Sequence, residues 1–194
     1  MADNFIQSVQ DATKDAPKSI KWYRNKIQDF GKPKPLDLIR DGKRANIPSP
    51  FNLNMFMYDP KYKKTLPYYD TFPLVLPLER YNDGFLGLNF HYLPIPLRIK
   101  LLDKLKSITE ENQSGLVKYS QYSETDRLKV SYARANGIPM ARAVIKRYLY
   151  GHMKSQVRIV TPDEWVIAVL LPVQRFRKAS TSKVYNRTKK LYKV

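Results

Sequence analysis

The chain contains no cysteine, which excludes disulfides, thiolate metal sites and a cysteine nucleophile and fits assembly in a reducing cytoplasm. Histidine is almost as scarce: His91 and His152 are the only two, and neither has a second ligand at metal-binding spacing. The longest apolar run, Val166 to Leu171, is far too short to span a bilayer. The first residues, MADNFIQSVQDATKD, lack the apolar core of a signal peptide, so the sequence predicts a soluble, unsecreted protein. There is no glycine-rich phosphate loop, because Gly84 and Gly87 fit a hairpin turn and a strand. The carboxylates Asp59, Asp70, Glu79, Asp83 and Asp103 are scattered, and nothing marks the two or three converging acids a metal-dependent nuclease needs. These absences point away from an enzyme and predict no metal, no cofactor and no small-molecule substrate.

Acidic residues are also in short supply. Asp and Glu number 17 against 35 Lys and Arg, giving a net charge of +18 over 194 residues. A cation excess of that size repels itself in a compact fold, so a polyanionic partner is expected, with nucleic acid the commonest kind. The hydrophobic share of 43% and the 14 tyrosines are ample for a packed core, so the chain as a whole is not a disordered tail.

Three zones divide the chain. Residues 1–45 read as an N-terminal helical arm with a proline-rich linker. Ile20, Tyr23, Ile27 and Phe30 form one stripe of a helix that Ser19 caps and Gly31 stops, and Lys32-Pro33-Lys34-Pro35 follows as a stiff linker. Residues 46–173 read as a single α+β domain. Its β part, about 50–95, is expected to be a small bent sheet or partial barrel. Strands are predicted over Asn52–Asp59, Phe72–Leu78 and Phe85–Leu93, with Asn82-Asp83-Gly84 as a hairpin turn. A helical region follows. Leu97, Leu101, Leu102 and Leu105 make one stripe, Thr125–Ala135 a second helix, and Pro139 opens a third that runs to about Lys154. Gln156–Val160 reads as a strand, and Thr161-Pro162-Asp163-Glu164 as a capping box before an apolar run that is helix or strand. Residues 174–194 read as a basic C-terminal tail.

The charge is concentrated at that end. Residues 127–194 hold 16 Lys and Arg and only two acids, Asp163 and Glu164, a net of +14. The candidate nucleic-acid contacts are Arg142, Lys146, Arg147, Lys154 and Arg158, then Arg175, Arg177, Lys178, Lys183, Arg187, Lys189, Lys190 and Lys193 in the tail. Lys and Arg neutralise phosphates, while the Ser, Thr and Tyr among them can donate to phosphate oxygens or stack on bases. No zinc-finger spacing, basic zipper or aromatic RNA-recognition signature is present, so contact is expected with backbone or an end, not with a sequence.

The segment LPYYDTFPLVLPLERYNDGFLGLNFHYLP, Leu66 to Pro94, resembles one found in proteins of T-even-like myophages. IKRYLYGHMKSQVRIVTPDEWVIAVLLPVQRFRKASTSKVY, Ile145 to Tyr185, is similar to the C-terminal half of the same proteins. The group is that of the phage DNA end protectors, and the similarity covers residues 50–185. It implies a minor virion protein, assembled in the host cytoplasm, that binds double-stranded DNA ends. Such a protein shields packaged termini from exonuclease and helps complete the head for joining to portal, neck or tail. No membrane partner is implied. The charge map leaves open a structural protein of tail, baseplate or neck whose basic tail docks on acidic subunits, and also an RNA-binding protein.

Overall fold

The structure, a computed structural model, describes residues 5–11, 31, 33–110 and 127–192. The helix expected between Ser19 and Phe30 lies outside them. Among the described residues two short helices come first, α1 (Phe5–Asp11) and α2 (Pro35–Arg40). Ile6 and Val9 of α1, and Leu38 and Ile39 of α2, are buried in the main core.

The sheet is assembled from distant pieces: β1 (Arg44–Ala45), β2 (Leu53–Met55), β4 (Leu74–Tyr81), β5 (Gly84–Asn89), β6 (Ile145–Leu149) and β7 (Val157–Val160). Its order is β1-β7-β2-β4-β5-β6, antiparallel throughout, with β1 and β6 as edges. The fold is therefore α+β, and the sheet is open rather than a barrel. The expected bend is present: the register of β4 shifts between Pro77 and Glu79. The β4–β5 hairpin turns at Asn82-Asp83, as its sequence requires. At Gly84 an added Cβ would lie 1.9 Å from the Tyr148 carbonyl oxygen, so only glycine lets β5 and β6 approach this closely.

Strand alternation gives the sheet two faces. One carries Leu53, Met55, Leu74, Leu76 and Leu88 into the main core. Helices cover it: α3 (Ile95–Glu110), α5 (Pro139–Val144) and α6 (Trp165–Leu170). Leu101, Leu102 and Leu105 of α3 are buried, as their spacing predicts. The other face holds a smaller aromatic cluster of Phe56, Tyr58, Val75, Phe85, Tyr148 and Val157, with Phe85 and Tyr148 stacked at 5.3 Å.

Two boundaries differ from expectation, and one open reading is decided. The second helix, α4 (Tyr132–Asn136), is short: Ser131 caps it by accepting from the Arg134 N–H, and residues 127–130, where the Val130 N–H donates to the Leu128 carbonyl, are not helical. The third helix does not reach Lys154. It stops at Val144, and Ile145–Leu149 becomes β6. Val144, Ile145 and Tyr148 favour strand, and pairing along the whole of β5 decides the conflict. The apolar run after Thr161 is the helix α6. Its capping box forms, with the Thr161 backbone N–H donating to Glu164 Oε2 at 3.0 Å.

The C-terminal segment is ordered structure packed on the domain. β8 (Phe176–Arg177) pairs with β3 (Tyr69–Asp70) in a two-stranded ribbon, and α7 (Thr181–Tyr192) follows.

Candidate nucleic-acid interface

α7 has no acidic residue, so its like charges at i, i+4 spacing work against it as an isolated helix. Three things hold it. Ser180 Oγ accepts from the Lys183 N–H, Val184 and Thr188 are buried, and Lys189 and Lys190 in the last turn suit the helix dipole. With Val184 and Thr188 facing inward, Lys183, Arg187 and Lys190 fall on one outward stripe. Lys189 is exposed beside them, and Arg142 is exposed on α5, the helix on which α7 packs.

The ribbon extends this surface. Arg175, Arg177 and Lys178 are exposed, and the Arg187 guanidinium lies 5.7 Å from the centre of the Tyr68 ring just before β3. Lys178 donates to the carbonyls of Lys64 at 2.6 Å and Leu66 at 3.1 Å, which joins the 60–66 loop to the ribbon. That loop brings Lys61 and Lys64 to the surface. Lys154, exposed at the loop's base, acts with Lys63 to hold the Asp59 carboxyl below its usual range, Lys63 through the direct hydrogen bond. Among the described residues, none of Arg142, Lys154, Arg175, Arg177, Lys178, Lys183, Arg187, Lys189 and Lys190 takes part in an ion pair. Their charge is therefore available to an external anion. The loop lysines were missed in the sequence, where Pro60–Lys64 reads simply as a turn; the signal was the run Lys61-Tyr62-Lys63-Lys64 itself.

Other expected contacts lie elsewhere. Arg158 is fully buried, donating to the Leu38 carbonyl at 2.6 Å and to Glu164 at 2.5 Å. Its β7 position faces the helix side of the sheet, so it is an internal tie and not a phosphate contact. Gly42 makes room for it, since a Cβ there would sit 2.5 Å from Arg158 Nε. Lys146 lies on β6 with its ammonium over the Tyr92 ring and donating to the Ala143 carbonyl. Burial pushes this lysine down to about 8. Arg147, also on β6 and not on a helix, pairs with Asp83 and stacks 4.2 Å from the Tyr81 ring centre, at the hairpin end. Lys193 lies outside the described residues.

Two buried polar centres support the surface from within. Arg98 of α3 is fully buried and, among the described residues, pairs with no carboxylate. It donates to the carbonyls of Leu93, Val169 and Leu171, to Gln174 and to the Tyr185 hydroxyl of α7. Asp70 of β3 accepts from the backbone N–H of Phe72 and of Arg175. It also meets His91 Nδ1 at 2.9 Å and Asn89 Nδ2 at 3.3 Å. Burial alone would raise the Asp70 carboxyl, but His91 and these donors hold it below its usual value. Burial lowers His91 in turn, more than the neighbouring carboxylate restores it. Among the described residues no group of three His, Asp or Glu is placed to hold a metal ion, and no helix is long and apolar enough to cross a membrane.

A family model described as the phage T4 terminal DNA protecting protein matches residues 1–194, and the chain belongs to that family. Neither the comparison with curated proteins nor that with solved structures finds a match.

Proposed function

We propose that this member of the terminal DNA protecting family binds the ends of linear double-stranded DNA through the cationic surface of α7, β8 and the 60–66 loop. It sits on packaged termini in the virion, shields them from exonuclease and aids completion of the head, docking on portal, neck or tail proteins. It is not an enzyme; protection is steric.

The observation that carries this reading is the set of exposed Lys and Arg on a folded, acid-free helix and on the ribbon strand beside it, none in an ion pair among the described residues. Phosphate neutralisation releases counterions, so affinity depends steeply on salt. If six to ten cations meet phosphates, roughly three to five decades of affinity are lost between 50 and 200 mM salt. The outward side chains of α7 are mostly Lys, Arg, Ser and Asn at the surface of a short helix, suited to backbone contact without base readout.

The test is exonuclease digestion of linear duplex DNA with increasing protein and salt, with covalently closed circles as competitor. Protection that weakens with salt, and that the circles do not abolish, is expected. Undiminished digestion at low salt, together with tight binding to an acidic virion subunit, would replace this reading with one of assembly.

A further inference from the structure

A backbone-binding surface does not by itself distinguish the end of a duplex from its middle, because phosphates run along both. Base faces do: inside the duplex they are covered by stacking, and only at a terminus is one bare. The protein carries a group suited to that difference at the tip of the 60–66 loop. Tyr62 is 63% exposed, more than any other large hydrophobic side chain among the described residues.

The loop that presents it is stiff. The backbone N–H of Lys63 donates to the Pro60 carbonyl, and those of Thr65 and Leu66 both donate to the Tyr62 carbonyl. The Thr65 hydroxyl donates to the same oxygen. The loop's base is fixed by Asp59, whose N–H donates to the His152 carbonyl and whose own carbonyl meets His152 Nδ1 at 2.8 Å. Its far side is fixed by the Lys178 ammonium on the Lys64 and Leu66 carbonyls. Lys178 adopts a φ of 65°, a left-handed conformation that costs a non-glycine residue free energy and persists where its surroundings impose it. Rigidity matters here, because an aromatic ring fixed in advance loses little freedom when a base stacks on it. The ring also has cations at hand: Lys61 Nζ lies 5.4 Å from its centre, and Lys63 and Lys64 follow in sequence.

We propose that Tyr62 is the stacking platform for the terminal base pair, or for a frayed terminal base, of linear duplex DNA, with Lys61 and Lys64 on the adjoining phosphates. It rests on the end-binding function proposed above and supplies what the cationic helix lacks, a means of preferring ends. Base–aromatic stacking sets the scale: its loss is expected to lower the preference for ends roughly five- to 150-fold.

The experiment compares wild type, Tyr62→Ala and Tyr62→Phe in competition between a linear blunt duplex and a closed circle of the same sequence. Tyr62→Ala is expected to bind the circle as wild type does but to lose its preference for linear DNA, and Tyr62→Phe to keep it. In Tyr62→Trp, the added tryptophan fluorescence is expected to be quenched by linear but not by circular DNA. Should Tyr62→Ala retain the preference of wild type, or Tyr62→Trp respond equally to both DNAs, Tyr62 is not the platform, while end binding stands. Should wild type show no preference for ends, both the platform and the end-binding function fall.

Discussion

At the scale of single residues, the cations of this chain divide by what surrounds them. Lys146 is the clearest case of a basic side chain that does not belong to the exposed cationic surface. Its folded value near 8 lies below the 10.5 of an exposed lysine, so the unfolded chain holds the proton more tightly. The resulting cost is present in full at neutral pH and is relieved as pH rises from about 8 to 10.5. Lys146→Met is therefore expected to stabilise the protein at pH 7 by of order 1–3 kcal/mol. Chemical denaturation should show that advantage shrinking toward pH 10, with DNA affinity at pH 7 unchanged. His91 carries the opposite end of the pH range. Its folded value is lowered from 6.5, so stability falls as pH drops below about 6.5 and the unfolded histidine takes up a proton. Asp70, lowered from 3.8, adds a second loss with the same sign at more acid pH. In His91→Gln the slope of stability against pH just below 6.5 is expected to flatten, and the loss below pH 4 to shrink with it, because His91 is the main group holding the Asp70 carboxyl down.

At the scale of elements, buried polar groups tie the cationic helix to the domain. Arg98 links α3, the carbonyl end of α6 and Tyr185 of α7 in one set of hydrogen bonds. Arg98→Met is expected to lower unfolding free energy by about 2–4 kcal/mol, because it leaves buried carbonyls without donors. Removal of residues 175–194 would discard the Arg175 N–H that binds Asp70 and the Val184 that packs in the core, so charge-neutral substitutions report on binding more cleanly than truncation. The local signals at this scale were legible in the sequence. The hairpin at Asn82-Asp83-Gly84, the α3 stripe and the Thr161–Glu164 box each depend on residues a few positions apart, and each appears where expected. The end of α5 was not legible. Helix and strand readings of Ile145–Leu149 differ by little locally, and the partner strand β5 that decides between them is some 60 residues away. Arg158 shows the same limit at a site: nothing local separates an arginine bound for solvent from one bound for Glu164 and the Leu38 carbonyl.

At the scale of the whole molecule, the excess of +18 is not uniformly available. Arg98 and Arg158 are consumed in the interior, Lys146 is masked and Arg147 and Lys63 are paired, whereas α7, β8 and, in the 60–66 loop, Lys61 and Lys64 expose cations without ion pairs among the described residues. The surplus charge in the sequence marks the C-terminal segment as cationic, but only the packing of α7 on Val184 and Thr188 shows which side of that helix faces outward. The central claim is that this outward side meets phosphates. The most direct measurement is the slope of log affinity against log salt for linear duplex DNA. Wild type is compared with the triple variant Lys183→Gln, Arg187→Gln, Lys190→Gln, whose fold is checked by circular dichroism. Loss of three phosphate contacts is predicted to make the slope shallower by about 2.7, at about 0.9 per contact. An unchanged slope in a folded variant would contradict the claim and move the interface elsewhere on the protein.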